Sequence, residues 1–140
     1  MTKEDKELLL KDICTRLPYK VKCCIYNFGE DTVRIKEDVL WSVQGDNILT
    51  LKSCVENGEA YMYHQIKPYL FPLSSMTEEE WEDYQKIRMI DLVDGDINGT
   101  FINAGSIVDW LNAHHFDFRD LIEKGLAIDA TGLNIYIKDR

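Results

Sequence analysis

The spacing of apolar residues near the start of the chain is that of an amphipathic helix. Leu9 and Ile13 stand four residues apart, which places them on one helical face. Thr2 and Asp5 are spaced like the two partners of a capping box, with Asp in place of the usual Glu. The pattern therefore predicts a first helix, which ends before Pro18 because proline cannot continue a helix.

The next part of the chain shows the alternation of apolar and polar residues that is typical of strands. Strands are predicted for residues 21–25, 32–36, 39–43, 48–51 and 60–66. Turn residues separate them, so we expect an antiparallel meander of four to five strands. Pro68 and Pro72 follow the last strand. Since proline cannot donate to a strand ladder, they predict an extended exit from the sheet.

The second half of the chain carries the signals of helices. Thr77 and Glu80 match a second capping box, and Met76 and Trp81 occupy the two positions of a hydrophobic staple. A helix is therefore predicted over residues 77–89, with Trp81 facing the core.

Weaker signals follow that helix. Ser106 predicts the cap of a helix over residues 106–115, and Asp117 predicts the cap of a last short helix before a strand at 126–128. The predicted fold is α+β and a single domain over residues 1–140. It has an N-terminal helix, an antiparallel meander of four to five strands, two to three helices and a short C-terminal strand.

The negative charge of the chain argues against some classes of function. The formal net charge is -9, and residues 77–98 hold eight Asp or Glu against two Lys or Arg. Nucleic-acid binding depends on Lys and Arg displacing counterions, so no direct contact with phosphates is expected. An acidic face suits a basic protein surface instead. Neither a long apolar run nor a signal-peptide pattern is found, so we expect a cytoplasmic protein without membrane contact.

The cysteines predict no structural disulfide. Cys14, Cys23, Cys24 and Cys54 form no C-x-x-C pair, and adjacent residues of a strand point to opposite faces. We therefore expect reduced, mostly buried thiols, with Cys23 and Cys24 on opposite faces of the sheet.

One segment resembles the first half of a calcium loop. Asp94, Asp96 and Asn98 follow the D-x-[DN]-x-[DN]-G pattern of the EF-hand. The twelfth position, where a bidentate Glu should close the site, is Gly105. Since Asp, Asn and Gly are also common in plain turns, we expect a solvated turn and no metal, with calcium as the weaker alternative.

The histidines give no clear sign of catalysis. His114, His115 and Asp117 lie close in sequence, but adjacent residues on a helix do not face one another. We expect one histidine to pack beneath the helix, the other to lie at its negative end, and Asp117 to cap the next helix. Phosphate loops, nucleophile elbows and zinc-type spacings are missing from the sequence, so an enzyme is the less favoured class and no cofactor is expected.

Two segments are candidates for a binding surface. The predicted helix after Thr77 is acidic, and Glu79 and Glu82 lie on neighbouring surface positions. Residues 61–71 are rich in aromatic side chains, with candidate contacts at Tyr61, Tyr63 and Tyr69. Such a segment either packs in the core or forms part of an interface, and the sequence leaves both possibilities open.

Three blocks of the sequence carry a resemblance. They are the opening helix, residues 67–80 (KPYLFPLSSMTEEE) and residues 110–127 (WLNAHHFDFRDLIEKGLA). These blocks resemble small uncharacterised proteins that phages and mobile elements of Bacteroides-type gut bacteria carry. The resemblance implies an accessory protein of such an element and supplies no catalytic residue.

These observations lead to one hypothesis and two alternatives. We expect a non-enzymatic binding protein, an accessory factor that modulates or inhibits a host protein through direct contacts. The first alternative is a protein that binds or sequesters a small ligand such as a nucleotide signal, with phosphates held by Lys20, Lys22, Arg34 and Lys36 if the meander gathers them. The second is an enzyme with an unrecognised site. The oligomeric state stays open.

Overall fold

The structure of the chain, a computed structural model, describes residues 2–56, 58–95 and 100–136. The helices are α1 (Lys3–Arg16), α2 (Leu51–Glu56), α3 (Glu78–Gly95) and α4 (Thr100–Ala113). The strands are β1 (Lys22–Tyr26), β2 (Val33–Gln44), β3 (Asn47–Thr50), β4 (Tyr61–Met62), β5 (Ile66–Pro72), β6 (Phe116–Asp117) and β7 (Ile128–Asp129). The predicted α+β fold is confirmed: an N-terminal helix precedes a mostly antiparallel sheet, and two longer helices and short strands follow.

Helix α1 begins as its sequence predicts. The backbone N–H of Asp5 donates to the Thr2 hydroxyl at 3.0 Å, and the Thr2 N–H donates to the Asp5 carboxylate at 3.4 Å. Both halves of the capping box are therefore formed. Leu9 and Ile13 are fully buried, so this helix packs its predicted face on the sheet.

The strands form one sheet in the order β4-β3-β2-β1-β5-β6, and β7 also pairs with β5. The neighbours from β4 to β5 are antiparallel, whereas β6 and β7 run parallel to β5. The two strands predicted at 32–36 and 39–43 are one continuous strand, β2, which pairs with β1 through its first half and with β3 through its second. Helix α2 was not predicted.

Strand β5 is paired on both edges although it contains Pro68, so the predicted exit from the sheet is wrong. Its ladder with β1 stops at Pro68, where the next register position would set Lys22 opposite Tyr69. The hydroxyl of Tyr136 lies between them, accepting from the Lys22 N–H at 2.6 Å and donating to the Tyr69 carbonyl at 2.9 Å. A side chain from the C-terminal segment thus continues the ladder past the proline.

The second half departs from prediction at several boundaries. Helix α3 continues to Gly95 instead of ending near residue 89, and α4 begins at Thr100, before Ser106. The predicted last helix is a series of turns over residues 121–125, and its strand is shifted to Ile128–Asp129. Local signals located these elements, but their ends depend on packing against the rest of the chain.

The sheet separates two groups of buried apolar residues. One contains residues of α1, β1, β2 and β3 together with Leu121 and Leu126. The other contains Phe71 and residues of α4, β6 and the segment that ends at Tyr136. The adjacent residues Cys23 and Cys24 belong to different groups, which confirms their predicted placement on opposite faces.

The four cysteines are free thiols, but only half of them are buried. Burial raises the pKa of the Cys23 thiol well above its usual value. Cys14 and Cys54 are exposed on α1 and α2, so the prediction of mostly buried thiols is wrong for these two residues. Both belong to helix faces that point to solvent, which the alternation of strand residues could not reveal.

A buried cluster of charges joins α1 to the segment after α4. The Asp12 carboxylate accepts from Arg16 Nε at 2.7 Å and from Arg119 Nη1 at 2.8 Å, and Arg16 Nη2 donates to the Phe116 carbonyl at 2.7 Å. The side chains of Asp12 and Arg16 are fully buried. This cluster fixes the position of α1 against the strand β6.

Candidate functional site

Helix α3, which carries the predicted binding residues Glu79 and Glu82, begins with a complete capping box. The Thr77 N–H donates to Glu80 Oε1 at 2.9 Å, and the Glu80 N–H donates to the Thr77 hydroxyl at 3.1 Å. This capping box confirms the predicted start of the helix. The Glu80 carboxylate thus caps the helix, whereas the acidic residues around it do not.

The neighbouring carboxylates are free. Four exposed residues form what we call the acidic face: Glu78, Glu79, Glu82 and Asp83. Among the described residues, no hydrogen bond or ion pair involves these four side chains. Their charges lie near the N-terminal end of the helix, where the macrodipole favours negative charge. Lys86 lies on the same side of the helix, four residues after Glu82, but it forms no ion pair with these carboxylates among the described residues.

Trp81 does not pack in the core as its staple position predicted. Its side chain is 50% exposed and belongs to neither buried group, although Met76, its predicted staple partner, packs against the second group. The inward face of α3 instead passes through Glu80, Tyr84 and Ile87, which are half-buried. Glu80 precedes Tyr84 by four residues and Trp81 precedes it by three, so helical spacing alone allows either residue to continue this inward stripe.

The exposed indole is supported by a ladder of aromatic rings. The Trp81 ring lies 5.9 Å from that of Tyr84, Tyr84 lies 5.8 Å from Trp110, and Trp110 lies 5.7 Å from the fully buried Phe116. Aromatic pairs at such separations attract one another beyond the area they bury. The ladder therefore holds Trp81 from behind and leaves part of its surface open to solvent.

The aromatic segment at residues 61–71 lies mostly inside the protein. Tyr61 is 2% exposed and its hydroxyl forms a hydrogen bond with that of Ser53, at 2.7 Å. Tyr69 is 3% exposed and donates to the Lys36 carbonyl, and burial raises the pKa of its phenol. Only Tyr63 is half-buried, so Tyr61 and Tyr69 offer little area to a partner and the core placement is the one observed.

His114, His115 and Asp117 contact different neighbours. His114 Nδ1 forms a hydrogen bond with the Trp110 carbonyl at 2.9 Å, whereas His115 is buried and stacks on Tyr136 with ring centroids 3.8 Å apart. The Asp117 carboxylate accepts from two backbone N–H groups of the turn at residues 121–125, both at 3.0 Å. The predicted capping role of Asp117 is thus present, although it caps a turn instead of a helix.

Two of the four basic residues that could gather on the meander, Lys22 and Arg34, pair with carboxylates of the chain. Lys22 Nζ lies 3.0 Å from the Glu37 carboxylate, and Arg34 Nη2 lies 2.8 Å from that of Glu59. Two clefts lined by described residues, of about 340 and 260 Å³, have no Lys or Arg in their walls. The larger lies between the end of β5 and the C-terminal segment, and the smaller has acidic residues in its wall.

The predicted calcium-loop residues fall largely outside the described part of the chain. Asp96 and Asn98 lie in the segment 96–99, and Asp94 belongs to the last turn of α3. Within the described residues, no three His, Cys, Asp or Glu side chains come together as metal ligands. Nor does any described helix have the length and apolar character needed to span a membrane.

Comparison with known proteins adds no family to this picture. No family model, no curated protein and no solved structure is significantly similar to the chain.

Proposed function

We propose that this chain is a non-enzymatic binding protein, an accessory factor of a phage or mobile element that modulates or inhibits a host component through protein contacts. Its binding surface consists of the acidic face and Trp81. The observation that carries the proposal is the half-exposed Trp81 indole, which a ladder of rings supports from behind and which lies beside the acidic face on the same helix. The genetic setting rests on the resemblance of the three sequence blocks.

The exposed indole supports an interface because of its energetics. Tryptophan is enriched at the centres of protein interfaces, where a rigid aromatic side chain buries a large area when a partner covers it. A side chain already fixed by Tyr84 loses little conformational entropy on binding. Trp81 therefore has the position and the rigidity of an interface anchor.

The charges of the acidic face support a basic partner. Four carboxylates against one lysine, Lys86, on the same helix surface produce a net negative potential that attracts a positively charged surface and accelerates association. By contrast, Lys22 and Arg34 already pair with carboxylates of the chain, which weighs against the alternative of a nucleotide-signal binder.

The experiment compares two double charge reversals. Glu79→Lys with Glu82→Lys alters the acidic face, and Glu4→Lys with Glu7→Lys makes the same change in net charge and spacing on exposed residues of α1. A partner is first captured from host lysate with the wild-type protein, and association rates are then measured at low and high salt. We expect the α3 variant to associate about tenfold more slowly at low salt, with the difference shrinking at high salt.

The α1 variant controls for net charge, and melting curves of both variants control for folding. Equal association rates for the two variants at each salt concentration would exclude α3 from the binding surface. A nucleotide released in stoichiometric amount when the protein is denatured, identified by mass spectrometry, would favour the small-ligand alternative instead.

A further inference from the structure

Trp81 and Tyr84 are neighbouring rings on α3 with different surroundings. The Arg88 guanidinium lies 5.8 Å from the centre of the Tyr84 ring, so one ring of the ladder already faces a cation from its own helix. None of the cation–π contacts formed by the described residues involves Trp81. The indole, the aromatic ring that attracts cations most strongly, is therefore the one left open.

The charge around Trp81 favours the same kind of ligand. Glu78 precedes Trp81 by three residues, which makes the two side chains neighbours on the helix surface. Helical side chains generally lean toward the N-terminus, which for Trp81 is the direction of the turn that carries Glu78. A cation on the indole would thus be within reach of a free carboxylate.

We propose that Trp81 and Glu78 form the binding site for an arginine side chain of the protein partner. The inference rests on the proposed function and names the chemistry that the partner presents. A guanidinium is planar, so it stacks on the indole while its N–H groups donate to the Glu78 carboxylate. A lysine ammonium is a hydrated point charge that offers no such stacking, and the site therefore prefers arginine.

Trp41 provides an internal control for this inference. It is 56% exposed, similar to Trp81, and it lies in β2 at an irregularity of the pairing with β3. The residues next to it in sequence, from Val39 to Val43, are uncharged. Trp41 thus matches Trp81 in exposure but lacks a neighbouring carboxylate along its strand.

The test uses three short peptides of glycine and serine that carry two arginines, two lysines or two citrullines. Their binding is followed through the NMR shifts of the tryptophan indole N–H groups. We expect the arginine peptide to shift the Trp81 signal and to bind about two- to fivefold more tightly than the lysine peptide. The citrulline peptide, which keeps the planar shape without the charge, should bind more weakly than either.

Three variants test which residues produce the preference for arginine. In Trp81→Ala the preference for arginine over lysine should disappear, whereas Trp41→Ala should retain it. Glu78→Gln should weaken the binding of both cationic peptides.

Equal affinity for arginine and lysine, or a preference that survives Trp81→Ala, would overturn the arginine site. The absence of any shift at Trp81 at millimolar peptide would overturn it as well. Neither result contradicts the proposed function, which is tested by the charge-reversal experiment with the captured partner. The two proposals can therefore be rejected independently.

Discussion

Two regions of the molecule, the buried cluster at α1 and the acidic face of α3, use charged side chains in opposite ways. Between α1 and the segment after α4, Asp12 is fully buried and contacts both Arg16 and Arg119. On α3, the acidic face leaves four carboxylates in solvent, and none of them forms an ion pair with a described residue. Removing a charge from water is costly unless it is paired, so the first arrangement must be satisfied internally, whereas the second is free to meet a partner. The comparison separates charges that hold the fold from charges available for binding.

The largest effect is expected from the buried cluster. Asp12→Ala leaves two arginines without their shared carboxylate, and breaking a buried pair in this way costs about 3–5 kcal/mol. Urea denaturation should show this loss, while Asp83→Ala on the acidic face should change the free energy of unfolding by less than about 0.5 kcal/mol. Similar losses for both variants would mean that the two regions do not differ as proposed.

The three blocks with the resemblance are in contact through the buried region. The Asp12 cluster links the opening helix to residues 110–127, and Phe71 of β5 pairs with Phe116 of β6, which links the middle block to the same segment. The acidic face, by contrast, lies partly beyond the middle block, which ends at Glu80. The three blocks thus contact one another within the fold.

The second prediction compares two tryptophans of the same ladder. Trp110 is half-buried and contacts Tyr84, His114 and Phe116, so Trp110→Ala should cost about 3 kcal/mol. Trp81→Ala should cost less than about 1 kcal/mol, because Trp81 is half exposed at the end of the ladder. Denaturant midpoints measure both. A large loss at Trp81 would reassign it to the fold and remove the main support for an interface there.

The sequence predicted features that depend on local chemistry. Thr2 with Asp5 and Thr77 with Glu80 form the two capping boxes, since each needs residues only three positions apart. It also predicted the antiparallel strands, because the alternation of apolar and polar residues shows which side of a strand faces the core.

It did not predict features that depend on distant contacts. The place of β5 inside the sheet depends on pairing with β1, β6 and β7, and the Tyr136 hydroxyl that bonds Tyr69 lies 67 positions away in sequence. For the candidate site, Glu79 and Glu82 were found at the surface as predicted, but the exposure of Trp81 was not, because either Glu80 or Trp81 could continue the inward stripe of α3.

The third prediction concerns that distant contact. Tyr136→Phe removes the hydroxyl that joins Lys22 to Tyr69 and leaves a buried N–H and a buried carbonyl without their partner. The expected cost is about 1–3 kcal/mol, accompanied by faster hydrogen exchange at the Lys22 amide. Tyr63→Phe should be nearly neutral, because Tyr63 is half-buried and its hydroxyl forms no hydrogen bond with the described residues. An unchanged Lys22 exchange rate would show that the hydroxyl does not hold β1 and β5 together.

The smallest effect on stability, and the sharpest test of the comparison, comes from the two capping threonines. Thr2→Ala and Thr77→Ala each remove one hydrogen bond to the third residue of a helix, at α1 and α3 respectively, and each should cost about 1 kcal/mol. Only Thr77→Ala loosens the turn that carries Glu78 and Glu79, so it alone should weaken binding of the captured partner. Because the two variants are matched in chemistry and stability, equal binding losses would show that binding follows overall stability, whereas a loss confined to Thr77→Ala places the contact on the first turns of α3.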